Sequence, residues 1–487
     1  MDQKRLNRRD FLRLSALTAA GAALAACGPA PTPQVVQETV EVPVEQTVVV
    51  QATATPPPAP TAVLAGGNIE CTVVWMFEDL DVLQDQMEDF YAENPGITIE
   101  SVSWDETRFK AMMAAGTPPD VYRSSGRQTA YYVGRGIPLA IDPYIEVSTK
   151  VTWDDLAPVH SCMRWDGSSI GSGPSYGLVK DWSCAQGHWL NGKVYEEVGV
   201  PMPGPTDFLT YADVAEVAAQ FVTREGDRTL RFGYSGGADF TTEKMMQLAC
   251  IENDVTLYDE YYSRVNIVDN EPAYDMLKWL YDLAEQGISP SPINPHSGWD
   301  AQDFGQGKIG IIQDGYWFSA LLKMWAADDP AVQELVDDGA VAIMVAGVGW
   351  GKKNLNPSFG ASADAIHSQS KCPDGAWKVL EYYTSGTPAI IRASSGWGVP
   401  PLLSLYPLMP KETPFDQMVQ ASQQEQEKYA NVALQQNPYY DADSLGGVVW
   451  VQNLEQALNG SITFDELVQN VEDEVNQMIV DGINAIS

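Results

Sequence analysis

Between Cys71 and the C-terminus, apolar positions switch repeatedly between a strand-like and a helix-like spacing. Cys71-Thr-Val-Val-Trp-Met-Phe77 is a near-continuous apolar run of strand length and reads as a buried strand. Val82, Leu83, Met87, Phe90 and Tyr91 then share one helical face, and Asn94-Pro95-Gly96 stops that helix. Ile97 to Trp104 returns as a strand, Phe109, Met112 and Met113 mark a helix, and Val121-Tyr122 is a short strand after Thr117-Pro118-Pro119-Asp120. This strand–helix–strand–helix order predicts an α/β fold with a mostly parallel, helix-covered sheet.

The middle of the chain is richer in helix. Thr210-x-x-Asp213 has the form of a capping box, opening a helix with Val214, Val217, Ala218 and Phe221 turned inward. Pro272 to Glu285 spaces Tyr274, Leu277, Leu280, Tyr281 and Ala284 helically, with Gly287 as its stop. Ile309 to Gln313 and Val341 to Val345 read as strands, and Trp317 to Ala327 and Asp374 to Ser385 as helices. Thr463 and Glu466 cap a last helix that turns Phe464, Leu467, Val471, Val475 and Ile479 to a core. No solenoid period is present. The Pro- and Gly-rich stretches 166–177, 201–207, 288–299 and 396–401 are candidate crossings between lobes or pocket loops.

The first 68 residues follow neither pattern. Lys4, Arg5, Arg8 and Arg9 precede an apolar run from Leu14 to Ala26, too short to span a bilayer. Arg8-Arg9-Asp10-Phe11-Leu12-Arg13 resembles a twin-arginine export signal, with Asn7 where Ser is commoner. Leu24-Ala25-Ala26-Cys27 resembles a lipobox, which implies a lipidated Cys27 as the first residue of the exported form. An uncleaved anchor or a chance Arg pair is the alternative, but three signals in register favour export. From Gly28 to Asn68 the chain is Pro-, Thr- and Val-rich and lacks Lys and Arg. It reads as a disordered tether with a reach on the order of 35 Å; Val48-Val49-Val50 is its one strand-like stretch.

About 420 residues remain, too many for one core and suited to two lobes. The chain has 29 Lys and Arg against 65 Asp and Glu; the leader holds five and two of these, leaving 24 against 63, a net charge of −39. Such a field excludes nucleic acid and anionic lipid as partners and favours a neutral ligand, unless a local basic pocket overrides it. With Cys27 lipidated, Cys71, Cys162, Cys184, Cys250 and Cys372 remain, so at least one is unpaired in a monomer. Cys162–Cys184 is a candidate disulfide, with the connectivity open.

Catalytic patterns are weak. Gly167-Ser-Ser169-Ile-Gly171 fits a hydrolase elbow in letters, but Gly173, Pro174 and Gly177 follow where a helix is required. His160, His188, His296 and His367 have no zinc spacing, Gly347 to Lys353 is no complete phosphate loop, and Asp441-x-Asp443 puts Gln452 where a calcium loop needs an acid. No cofactor and no metal are expected. Tryptophan stands out instead: 14 residues, with Trp182, Trp299, Trp317, Trp350 and Trp397 beside Gly, Asp or Ser. A pyranose has an apolar C–H face and a hydroxyl edge, which aromatic rings and carboxylates satisfy respectively. Asp181-Trp182, Trp299-Asp300 and Asp314-Gly-Tyr316-Trp317 pair those chemistries. Each Trp is equally a core or rim residue.

Three segments, taken together, carry a family resemblance. Ala114-Ala-Gly-Thr-Pro-Pro-Asp120-Val121 resembles a Gly-x-x-Pro-Asp turn. Phe304-Gly-Gln-Gly-Lys308-Ile-Gly310 through Trp317 resembles a Phe-x-x-Gly-Lys-Ala-Ala to Gly-x-Trp segment. Ser370-Lys-Cys-Pro-Asp-Gly-Ala-Trp377 resembles a Ser-x-x-Pro-x-x-Ala-Trp helix start. In this order and spacing, from about Ile69 onward, the chain is similar to the maltose-binding-protein-like extracellular solute-binding proteins. The resemblance implies a two-lobed periplasmic-binding-protein fold joined by hinge crossings: residues 69–178 plus 345–398 in one lobe, 179–344 plus 399–487 in the other. It implies a sugar or oligosaccharide bound in the cleft, delivered to ABC permease subunits, by a monomer held at the outer face of the cytoplasmic membrane. Trp317 matches the family's stacking Trp; Arg123, Ser124 and Ser125 its hydroxyl contacts; Phe77, Glu78 and Asp79 the loop after its first strand; Gly360 and Trp397 lie near its later crossings. Trp189-Leu-Asn-Gly-Lys193 departs from the family's Tyr-Asn-Lys, and Tyr211 replaces a Trp. The rival readings are the same scaffold holding a polyamine, peptide or metal chelate, a secreted glycosidase with two carboxylates, and a surface adhesin.

Overall fold

The computed structural model describes residues 69–77, 86–184, 186–226, 228–236, 238–296, 298–337, 342–357, 360–430 and 434–486. The leader, Cys27, the tether, Glu78, Asp79 and the predicted helix positions Val82 and Leu83 lie outside them. Two five-stranded sheets organise the rest. Their strands are β1 (Cys71–Phe77), β2 (Ile97–Ser103), β3 (Val121–Ser125), β4 (Leu178–Ser183), β5 (His188–Asn191), β6 (Thr223–Glu225), β7 (Arg228–Ser235), β8 (Ile309–Gln313), β9 (Ala342–Val345) and β10 (Gly360–Ile366). The first sheet has the order β2-β1-β3-β10-β4 and the second β9-β5-β8-β7-β6.

The apolar run of β1 is continuous because both its faces are covered. Val73, Trp75 and Phe77 pack with Trp377 and Leu380 of helix Pro373–Ser385. Met76, on the opposite face, packs with Phe109 of helix Glu106–Ala114 and with Tyr122. In the second sheet β8 is buried along its whole length. Helix Tyr211–Phe221, opened by the Thr210–Asp213 capping box, crosses β7 so closely that a Cβ on Gly233 would overlap the Ala218 carbonyl oxygen.

The sheets are more mixed than the strand–helix order predicts. Parallel pairing joins β1 to β2, β1 to β3 and β7 to β8. β10 pairs antiparallel with β3 and β4, β5 with β8 and β9, and β6 with β7; of these strands only β5 and β10 follow a crossing from the other half. The chain passes between the sheets after β4, before β10, and after Val399, which still pairs with Trp182 of β4. Pairing of β4 with β10 keeps residues 179–183 with the first sheet, beyond the division at 178 drawn from the sequence. The preceding Gly- and Ser-rich stretch is no crossing: it forms strand Ile170–Ser175, paired with Arg164–Trp165.

Cysteine pairing differs from the expected candidate. Cys71, at the start of β1, is disulfide-bonded to Cys372, the residue capping helix Pro373–Ser385. Cys162 and Cys184 are separate buried thiols, one in the turn Pro158–Met163 and one just after β4. Among the described residues, no helix is long and apolar enough to cross a membrane.

Candidate functional site

The carboxyl ends of β3, β4, β7 and β8 and the start of β10 open onto one cavity of about 1090 Å³. Such edges collect ligands in α/β sheets because side chains and loop amides converge there. Gly315, immediately after β8, lets the two halves meet: a Cβ there would lie 2.6 Å from Ser183 of β4.

Three tryptophans reach the cavity from loop ends. Trp299 precedes helix Asp300–Gly305 and Trp317 precedes helix Phe318–Ala326; their rings are stacked, with centroids 6.2 Å apart. Trp397 lies 6.0 Å from Trp317, tilted by 52°. It sits between Gly396 and Gly398, both with positive φ. At Gly398 a Cβ would approach the Asp181 side chain to 2.6 Å, so this glycine lets the Trp397 loop close onto β4.

The polar lining is dense. Asp300 accepts from the Ser235 hydroxyl at 2.9 Å. Asp314 accepts from the Gly315 amide at 2.7 Å and from the Trp317 side chain. Arg127, in the loop after β3, forks onto Asp443, donating at 2.9 and 3.3 Å. Lys180 lies 3.8 Å from Asp181, and Lys244 projects from helix Ala238–Glu252. Enclosure raises the Asp314 carboxyl to about 7, although the Gly315 amide, Lys244 and Trp317 pull it back. Burial lowers the Lys244 ammonium to about 7, and the nearby Arg127 charge pushes the same way. Burial likewise raises Asp443 to about 6 against the pull of Arg127. Among the described residues, no His, Cys, Asp and Glu group is arranged to hold a metal.

Of the residues singled out from the sequence, Arg123, Ser125, Asp181, Trp299, Asp300, Trp317 and Trp397 line this cavity. Others do not. Phe77 ends β1 in the core, 2% exposed and stacked 4.2 Å from Trp75. Ser124 and Trp182 alternate to the faces opposite Ser125 and Asp181 and are buried, Trp182 donating to the Pro400 carbonyl. Tyr316 is buried, its hydroxyl accepting from Gln420. Trp350 packs on Tyr211, its amide donating to Glu252. Gly360 opens β10 opposite Ser183, one residue short of the lining Ala361 and Ser362. The sequence reading omitted Arg127, Lys180, Lys244 and Tyr234, which have no local signal beyond their residue types. Asp314, the carboxylate of the Asp314–Trp317 pairing, lines the cavity as well.

The fold has many solved counterparts. An ABC substrate-binding protein from Listeria monocytogenes, solved with cycloalternan, superposes with a TM-score of 0.67 at 18% identity, covering 84% of this chain and 99% of that one. The GacH receptor of Streptomyces glaucescens, solved unliganded and with acarbose, gives 0.62 at 17% identity, covering 85% and 99%. A solute-binding protein from Agrobacterium vitis with D-mannitol gives 0.62 at 16% identity, covering 84% and 98%. These likenesses carry the fold, the two-lobed periplasmic-binding-protein architecture. A search of curated protein sequences returns no match. The description of the bacterial extracellular solute-binding protein family fits residues 78–386, well over half of the sequence, and the chain belongs to that family.

Proposed function

We propose that this chain is the capture subunit of an ABC importer and binds a sugar or oligosaccharide in the cavity between its two sheets. One observation carries the reading: Trp299, Trp317 and Trp397 cluster at the wall of a cavity whose lining combines carboxylates, hydroxyls and cationic groups with further apolar side chains such as Leu280 and Leu283. Flat rings take the C–H face of a pyranose while the polar groups take its hydroxyl edge. A volume at the top of the usual small-molecule range, roughly 300–1,000 Å³, suits more than one ring. The solved counterparts bound to cycloalternan, acarbose and D-mannitol support the ligand class by analogy.

In this reading residues 69–183 and 360–405 form one lobe and the remainder the other, because 347–349 pair with 208–210 and Leu402 and Leu405 pack in the core of the first sheet. A ligand touching both lobes selects the closed arrangement by its additional contacts. The closed form is read by a permease pair, and Cys27 holds the monomer at the outer face of the cytoplasmic membrane through its lipid. The four cationic side chains in the wall disfavour a polyamine. Asp300 and Asp314 are neighbours in the lining, so a glycosidase is the reading to test beside capture. Calorimetry against a saccharide panel, with the products analysed afterwards, is the experiment. Stoichiometric binding with the saccharide recovered intact is expected; turnover, or no heat with any saccharide, would end the proposal.

A further inference from the structure

A segment of the second lobe clasps the first beside the cleft. Residues 434–443 precede the π-helical turn Leu445–Trp450, and hydrogen bonds on one side tie them to the second lobe. The Gln435 amide donates to the Gln247 side chain at 2.8 Å, and Gln247 donates back to the Gln435 carbonyl at 3.0 Å. Asn437 donates to the Tyr262 carbonyl at 3.0 Å, and the Tyr440 hydroxyl meets that of Tyr258.

On the other side the same residues hold the first lobe, at the loop after β3 and at helix Thr129–Gly134. Gln436 accepts from the Ala130 amide at 3.1 Å and donates to the Gly126 carbonyl. Arg135 donates to the Pro438 and Tyr439 carbonyls, each at 2.8 Å. Gln128 donates to Asp441 at 3.3 Å, beside the fork of Arg127 on Asp443. Tyr262 adds packing against the first-lobe cluster that contains Ala130 and Val133.

The contact is mostly polar. Polar groups that part can bond to water instead, so such an interface separates at less cost than an apolar core. Gln436 matters most. Ala130 lies in the first turn of its helix, where an amide has no carbonyl within the helix to receive it, and Gln436 takes that role. Without Gln436, closed lobes would leave the buried Ala130 amide and the Gly126 carbonyl short of a partner, which favours opening. The segment also leads into the ligand wall. Arg127 lines the cavity, and beyond Asp443 so do Trp450, Val451 and Leu454. The turn between is π-helical, a rare local expansion concentrated at functional sites.

We propose that residues 434–443 are a latch that holds the two lobes closed before a ligand arrives. Entry requires the latch to part, and its reclosing adds to the affinity by keeping the binding-competent form populated. The inference rests on the division into two lobes given above, whatever the cleft binds.

Hydrogen exchange on the ligand-free, full-length protein reads the latch at the Ala130 amide, which should be strongly protected. Neither Gln436 nor Arg135 lines the cavity. In Gln436→Ala and Arg135→Ala the exchange of Ala130 should quicken roughly tenfold or more as opening becomes easier. Small-angle scattering of the same ligand-free variants should show expansion relative to the unaltered protein. Faster exchange with unchanged scattering would make the segment a fixed contact and overturn the latch. Should neither variant fold, the unaltered protein is sufficient: an Ala130 amide that exchanges like an exposed one overturns the proposal, and a protected one upholds it. Since no ligand is present, failure of the sugar reading would leave these results as they stand.

Discussion

Trp299 and Trp317 lie with their ring planes 10° from parallel, each at the residue that opens a helix at the cavity wall. Trp299 is 46% exposed, whereas Trp317 is half-buried against Phe318 and Trp397. A ring fixed by such neighbours loses little further entropy when a ligand stacks on it. Trp317→Ala should therefore weaken saccharide binding by about 1–3 kcal/mol, taking aromatic–base stacking as the guide to magnitude. Trp299→Ala should weaken it less, because its exposed ring must first be ordered. Titration calorimetry on both variants checks this; an unchanged affinity in Trp317→Ala removes that ring from the site.

Gly398 couples backbone conformation to the polar wall. Its φ of +98° and the nearness of the Asp181 side chain together exclude a side chain there. Gly396 shares the positive φ but faces Ser319 and Pro410 instead of Asp181. Both alanine variants should lose about 1–2 kcal/mol of stability from left-handed strain. Only Gly398→Ala should also lose ligand affinity, since it displaces Asp181. Equal affinity losses would show that strain in the Trp397 loop, and not Asp181, transmits the effect.

The Cys71–Cys372 disulfide closes a loop across a sequence separation of 301. It fastens the first strand to the helix that covers its face. Cross-linking so distant a pair restricts the unfolded chain strongly, and about 2–5 kcal/mol of stability is expected from it. Denaturant unfolding of Cys71→Ser and Cys372→Ser measures that loss. Because the bond joins residues of the first sheet and its covering helix alone, ligand affinity should hold in the folded variants. A midpoint that does not move would show the bond contributes nothing to the native state's advantage.

The same disulfide marks where sequence reasoning runs out. Local patterns were legible: the apolar run of β1, the capping boxes at Thr210 and Thr463, and helix Pro373–Ser385 all follow from neighbours within a few positions. Pairing across 301 residues leaves no periodic trace. The Trp residues of the cavity were legible as a class, because rings beside Gly and Asp in loops break a core pattern. Which of them face the cavity was not. Trp182 and Asp181 are adjacent, and alternation along β4 sends one to the core and the other to the cleft. Arg127, Lys180 and Lys244 line one cavity only because strand ends from two sheets and helix Ala238–Glu252 converge there.

Proton binding at the cleft sets a pH dependence whose sign can be worked out. Asp314 and, outside the cavity, the buried Glu243 are each raised to about 7 from 3.8 and 4.5, mainly by burial. Between those limits the native chain holds protons that the unfolded chain has released, so stability falls as pH rises from about 4 to 7. Lys244 is lowered to about 7 from 10.5, again mainly by burial. Between 7 and 10.5 the unfolded chain holds the additional proton, so this contribution rises with pH. The contribution of these three groups has its minimum near pH 7. His160, His188 and His367, lowered by burial to about 4, 3 and 4, act in the opposite sense below about 6.5, so the differences between variants and the unaltered protein carry the test. Asp314→Asn should flatten the acid side of that minimum and Lys244→Met the alkaline side. Thermal midpoints across this range, measured without ligand, give the comparison. An acid-side slope unaffected by Asp314→Asn would mean that Asp314 is already ionised in the empty cleft.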